Sequence, residues 1–181
     1  MIYVFLADGF EEIEALSPVD FLRRAGLEVK TVAIKGKNAS GSHGITVEAD
    51  INISEIELSQ NVEAIVLPGG MPGSTNLNES PEVQKAIDFA VANKKLVCAI
   101  CAAPFILGEK GLLEGKKATC YPGFENSLKG AVISKDAVAV DGNFITACGA
   151  GVAWEFACEI AKKIVGEEKS LSILRGIQWK N

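Results

Sequence analysis

Cys101 closes the apolar run Lys95-Leu-Val-Cys-Ala-Ile-Cys101 and is followed at once by Ala102-Ala-Pro104. The run reads as a buried strand entering a helix whose third residue is proline. Proline is tolerated in a first turn, where its missing N–H would have no partner. A cysteine at that junction faces the positive end of a helix, which favours thiolate over thiol. The next backbone N–H, from Ala102, points to where an oxyanion would form on an attacked carbonyl. The strained strand-to-helix elbow of α/β hydrolases presents its nucleophile in the same way. The competing role for Cys101 is that of a small apolar filler, since free cysteine is among the most buried residue types.

Cys98 and Cys101 make a C-x-x-C pair in name only. On a strand, three residues separate the Cα atoms by roughly 10 Å and send the side chains to opposite faces. A disulfide needs Cα atoms within about 7 Å. A zinc site would need two further ligands, and no second C-x-x-C or histidine pair exists. Cys98 is therefore expected in the core, and no metal is expected.

Three other segments could join Cys101. Pro68-Gly69-Gly70 follows the apolar run Ala64–Leu67 at the strand edge where open parallel sheets bind ligands, and its glycines let backbone N–H groups come close. It lacks the spacing of a nucleotide-binding loop and would equally serve as a tight turn. Asp8-Gly9-Phe10-Glu11-Glu12-Ile13-Glu14 follows the first strand. Acids in a first helical turn are ordinarily solvated, but one facing the crevice would couple to the cysteine. Spacing does not choose among Glu11, Glu12 and Glu14. The only histidine, His43, lies in Gly41-Ser42-His43-Gly44, and any Cys–His pair would have to use it.

The elements that must position these residues alternate along the chain. Strands are expected at Ile2–Leu6, Glu28–Val32, Ala64–Leu67, Lys95–Ile100, Lys117–Thr119 and Phe144–Ala147, short apolar runs of the kind a sheet covered on both faces requires. Helices are expected over Glu11–Ala25, Ser80–Asn93, Ala102–Lys110 and Val152–Val165, with Pro18 kinking the first. Gly41–Ala49 and the Asp141-Gly142 turn add small antiparallel pieces. The class is α/β, doubly wound and mostly parallel, with helices on both faces, in one domain over residues 1–181.

Composition narrows the function. A net charge of −5 with scattered Lys and Arg offers no basic face for phosphates, so no nucleic-acid partner is expected. No run approaches the roughly 20 apolar residues of a membrane span. Five cysteines, an odd number in a chain of 181 residues, suit reduced cytoplasmic thiols better than a disulfide framework.

Taken together, the segments resemble the ThiJ/PfpI superfamily, in particular the branch of the parkinsonism-associated protein deglycase and its bacterial relatives. The matching stretches are Ala7–Glu14 with Pro18-Val-Asp and Arg23-Arg-Ala-Gly26, Val66-Leu-Pro-Gly-Gly70 and Ala99-Ile-Cys-Ala-Ala-Pro104. Ser42–Asp50 and Trp154-Glu-Phe-Ala157 match as well. The resemblance implies a flavodoxin-like fold and a homodimer. It makes Cys101 the reactive cysteine and Glu14 the carboxyl bonded to it, with an anion pocket at Gly69, Gly70 and Ala102. His43, Tyr121 and Arg24 are auxiliary candidates. It also implies cofactor-free glyoxalase III or deglycase chemistry on small aldehydes or glycated proteins, with redox sensing or chaperoning as the alternative. The chain departs from the family pattern at Cys120-Tyr121-Pro122, where many relatives have Thr-His-Pro. It has Ala102 where protease-like members have histidine, which counts against a peptidase. His43 stands at the position of an anion-binding arginine, and Gly149-Ala150-Gly151 replaces Gly-Pro-Gly.

Overall fold

A computed structural model describes residues 1–179, so positions 180 and 181 of the expected domain lie outside the described residues. The chain runs β1 (Ile2–Leu6), α1 (Glu12–Arg24), β2 (Val29–Ala33), β3 (Asn38–Ser40), β4 (Thr46–Glu48), β5 (Ile51–Asn52), β6 (Ala64–Leu67) and α2 (Gly73–Glu79). It continues with α3 (Pro81–Ala92), β7 (Leu96–Ile100), α4 (Pro104–Glu109), β8 (Lys117–Ala118), β9 (Val132–Ile133), β10 (Val138–Asp141), β11 (Phe144–Ala147), α5 (Ala153–Val165) and α6 (Glu167–Gly176). Two of the helices open on side-chain caps. The Glu11 side chain caps α1 by accepting the Glu14 N–H at 2.7 Å, and Ser80 caps α3 ahead of Pro81. Helix α1 continues through Pro18 to Arg24 without interruption.

The main sheet has the order β10-β11-β7-β6-β1-β2-β5. All neighbours are parallel except the β10–β11 hairpin at the Asp141-Gly142 turn. The five central parallel strands, taken in chain order, read 2-1-3-4-5, which is the flavodoxin-like winding. Every residue of β1, β6 and β7 is buried, as strands covered on both faces must be. Alternation divides β1 between two cores. Ile2, Val4 and Leu6 pack with Phe21 of α1 and Phe156 of α5, whereas Tyr3 and Phe5 pack with Ile87 of α3 and Ile106 of α4.

The small additions are the antiparallel β3–β4 hairpin, of which only the turn and second strand fall within the expected Gly41–Ala49, and a parallel β8–β9 pair. Strand β2 begins one residue later than expected, and α2, α6 and β5 were not anticipated. Among the described residues, no helix is long and apolar enough to cross a membrane.

Strand order reverses between β1 and β6. At such a switch point the loops leaving neighbouring strands turn to opposite faces and open a crevice at their carboxyl ends. The loops there are residues 7–11 and 68–72, with the end of β7 beside them. They pack backbone to backbone: Glu11 N–H donates to Gly69 O at 2.9 Å, and a Cβ on Gly70 (φ +87°) would stand 2.7 Å from the Phe10 carbonyl carbon.

Candidate active site

The sequence predicts an elbow at Cys101, and the backbone makes one. Cys101 has φ +64°, a left-handed conformation costing a non-glycine residue roughly 1–2 kcal/mol. Two hydrogen bonds hold it: its N–H donates to Ala147 O and its carbonyl accepts the Tyr121 N–H, both at 2.8 Å. The first extends the β7–β11 register, in which Ile100 pairs with Ala147. The helical expectation is corrected here. Residues 101–103 form a turn and α4 starts at Pro104, so proline is the first helical residue and Cys101 stands three residues ahead of it.

Glu14 is the acid that reaches the cysteine. Its residue is 1% exposed, and its carboxyl is hydrogen-bonded to Cys101. Gly69 N–H donates to Glu14 Oε2 at 2.9 Å, and the Ala150 amide donates to the same carboxyl. The amides of Gly70 and Ala102 donate to the Cys101 sulfur. The expected anion pocket is thus divided: Gly70 and Ala102 face the sulfur, whereas Gly69 holds the carboxyl. Gly69 also has no room for a side chain. A Cβ there would run into Glu14 Oε2 and stand 2.6 Å from the Cys101 Cβ.

Burial makes this pair reluctant to charge. It pushes Glu14 up from 4.5 to about 7, with the nearby Glu11 charge adding to the rise and the hydrogen bonds from Cys101, Gly69 and Ala150 opposing it. Burial, then the charge and hydrogen bond of Glu14, push the Cys101 thiol up to about 12 against the pull of the two amides. The two groups therefore compete for one proton. Two anions cannot share the pocket, so the proton rests on sulfur when Glu14 is ionised. A carboxylate titrating near neutral pH is then the base for that proton.

The remaining candidates lie elsewhere or act on the scaffold. Glu12, buried, accepts the His43 N–H at 2.8 Å and the Ile45 N–H at 3.4 Å, and its Oε2 lies 2.8 Å from His43 Nδ1. It shapes the turn over Gly41–Ile45, and that carboxylate raises the pKa of His43. Possible ligand atoms of Glu11, Glu12 and His43 lie within 4.8 Å of one another, a grouping among the described residues that a cation could bridge. His43 therefore pairs with Glu12 and not with Cys101. Tyr121 holds the Cys101 carbonyl through its backbone while its ring is half-exposed. Arg24 is misplaced by the sequence reading: it sits at the far end of α1, exposed, in an ion pair with Asp20 at 2.7 Å. Cys98 is fully buried in the core, as expected. Ala150 escaped the sequence reading; its only signal was the Gly149-Ala150-Gly151 stretch leaving β11 at the carboxyl edge of the sheet.

Comparison with known proteins gives a consistent picture. The model of the DJ-1/PfpI family matches residues 1–163. Protein dj-1beta of Drosophila melanogaster is 35% identical over 96% of this chain and 94% of its own length. A deglycase of Pyrococcus abyssi is 35% identical over 80% of this chain and 87% of its own. The oxidised DJ-1 of Toxoplasma gondii superposes with a TM-score of 0.94 at 32% identity, covering 99% of this chain and 98% of that one.

Proposed function

The chain belongs to the DJ-1/PfpI family, and from that premise we propose a cofactor-free enzyme acting on small α-oxoaldehydes such as methylglyoxal, or on their adducts with proteins. The observation that carries this reading is the buried Glu14 carboxyl bonded to the Cys101 sulfur, on which two backbone amides also converge. The deglycase name of the Pyrococcus relative supports the choice of substrate class.

In this reaction the Glu14 carboxylate takes the thiol proton while sulfur adds to the aldehyde carbon. The carbonyl electron pair moves to oxygen, where the N–H groups of Gly70 and Ala102 receive it. Glu14 hands the thiol proton to that oxygen, giving a hemithioacetal, and as a carboxylate again carries the proton from the former aldehyde carbon to its neighbour through an enediol, which leaves a thioester. Water hydrolyses the thioester to a 2-hydroxy acid and restores the thiol. Aldehyde oxidation is balanced by reduction of the adjacent ketone, so water is the only co-reactant. The wild-type protein should convert methylglyoxal to lactate and Cys101→Ala should not; equal consumption by both would end this reading.

One observation favours a second reading, a redox sensor or holdase. Cys101 is partly exposed, and a carboxyl titrating near 7 can donate its O–H to a sulfinate oxygen. Selective oxidation of Cys101 by mild peroxide, with negligible aldehyde turnover, would decide for it. A peptidase ranks last, since the lone histidine is held by Glu12. We assign the exposed Ile13 and Ile45, which flank Glu12, to contact with a second copy in a homodimer.

A further inference from the structure

Two cysteines that the chemistry above does not use stand close to Cys101. The Cys148 N–H donates to Ala137 O at 2.9 Å, continuing the β10–β11 ladder one pair beyond Val138 and Ala147. Strand alternation therefore puts Cys148 on the face from which Phe144 and Thr146 project, the face on the α3–α4 side of the sheet. Residues 119–121 cross that same face. Thr119 N–H donates to Thr146 Oγ1 at 2.9 Å, and the Tyr121 ring lies 3.6 Å from where a Gly149 Cβ would stand. Between these two contacts Cys120 comes near enough to Cys148 for the two thiols to interact electrostatically. Cys120 is 5% exposed and packs in the same core as Phe144, whereas Cys148 is partly exposed. Burial, Glu125 and the neighbouring Cys148 together push the Cys120 thiol up to about 11.

We propose that Cys120 and Cys148 form an oxidisable dithiol that closes to an intramolecular disulfide under a hydroperoxide, a modification site separate from Cys101. The sulfur of Cys148, the more exposed of the two residues, attacks the peroxide oxygen, giving a sulfenic acid and releasing an alcohol or water. The Cys120 sulfur then displaces the sulfenic hydroxyl, which leaves as water with the Cys120 proton. Two thiols lose two electrons, and the peroxide gains them. The new bond would join the neighbours of both residues that hold the Cys101 backbone, Tyr121 and Ala147.

The test treats Cys101→Ser with hydrogen peroxide and maps peptides without reduction. The expected result is a single Cys120–Cys148-linked peptide, a loss of two titratable thiols per chain, and recovery of both with dithiothreitol. The wild-type protein should give the same linked peptide, and in Cys148→Ser Cys120 should stay reduced. Three results would overturn the proposal: a sulfinic acid on Cys148 beside a free Cys120, a link from either residue to another cysteine, or no thiol loss.

Discussion

Glu14→Gln separates the charge of the buried carboxyl from its shape, because an amide oxygen can still accept the Gly69 N–H now made at 2.9 Å. In the folded chain Glu14 titrates at about 7, above its ordinary value of 4.5, so the native state holds this proton more tightly than the unfolded one. Below about pH 4.5 both states are protonated and the contribution to stability is fully present. As pH rises to 7 the unfolded chain releases its proton first, and stability falls. A rise from 4.5 to about 7, at roughly 1.4 kcal/mol per pH unit, amounts to about 3 kcal/mol. That is a large share of a net stability of about 5–15 kcal/mol. Urea denaturation of both proteins between about pH 4 and pH 8 should therefore show the variant gaining about 3 kcal/mol on the wild type. Methylglyoxal turnover should rise through pH 7 in the wild type, and in the variant should lose this inflection and fall by about 10²–10⁴-fold. Parallel stability curves would refute the claim that a desolvated carboxyl sits at this site.

Gly69→Ala should lower the thermal midpoint by the equivalent of about 1–3 kcal/mol and abolish turnover. Its Cβ meets the Glu14 carboxyl, which the Gly69 N–H holds in place, and also the Cys101 Cβ at 2.6 Å and the Ile100 carbonyl at 2.9 Å, neither of which is the end of a flexible chain. Cys101→Gly and Cys101→Ala should both be inactive, but the glycine variant should be the more stable in urea by about 1 kcal/mol, since φ +64° costs glycine nothing. Equal stabilities would show that the elbow relaxes once the thiol is gone.

The fold was legible because its strands are short apolar runs between capped helices, and the boundaries at β1, β6 and β11 coincide with those runs. Helix α4 was placed too early for a physical reason. The chain must turn through a left-handed residue at Cys101 before its amides can close a helical turn, and only glycine advertises such a conformation in a sequence. The same displacement takes the sulfur away from the helix end on which the thiolate argument rested. The amides at the sulfur come from a turn and a neighbouring loop, and the partner they must compete with is a carboxyl buried by the fold.

Glu14 itself was half legible. Along α1, Ile13 shares a stripe with Asp20 and Arg24, whereas Glu14 shares one with Pro18, Phe21 and Leu22, so an acid stands on the apolar side and an isoleucine on the charged side. Glu12 is buried by the same logic, with Ala15, Val19 and Leu22 on its stripe. Burial in the folded chain leaves Glu12 and Glu14 as the inward acids of this helix, and periodicity does not separate them. What separates them is tertiary: Glu12 meets the Gly41–Ile45 turn, and Glu14 meets the loop after β6. Both contacts span 31 or more residues, so their partners follow from the sheet order and not from local spacing. An acid whose burial is unexplained by its own helix is thus a pointer to the sheet edge, and the glycine that cannot accept a Cβ is what lets it arrive there.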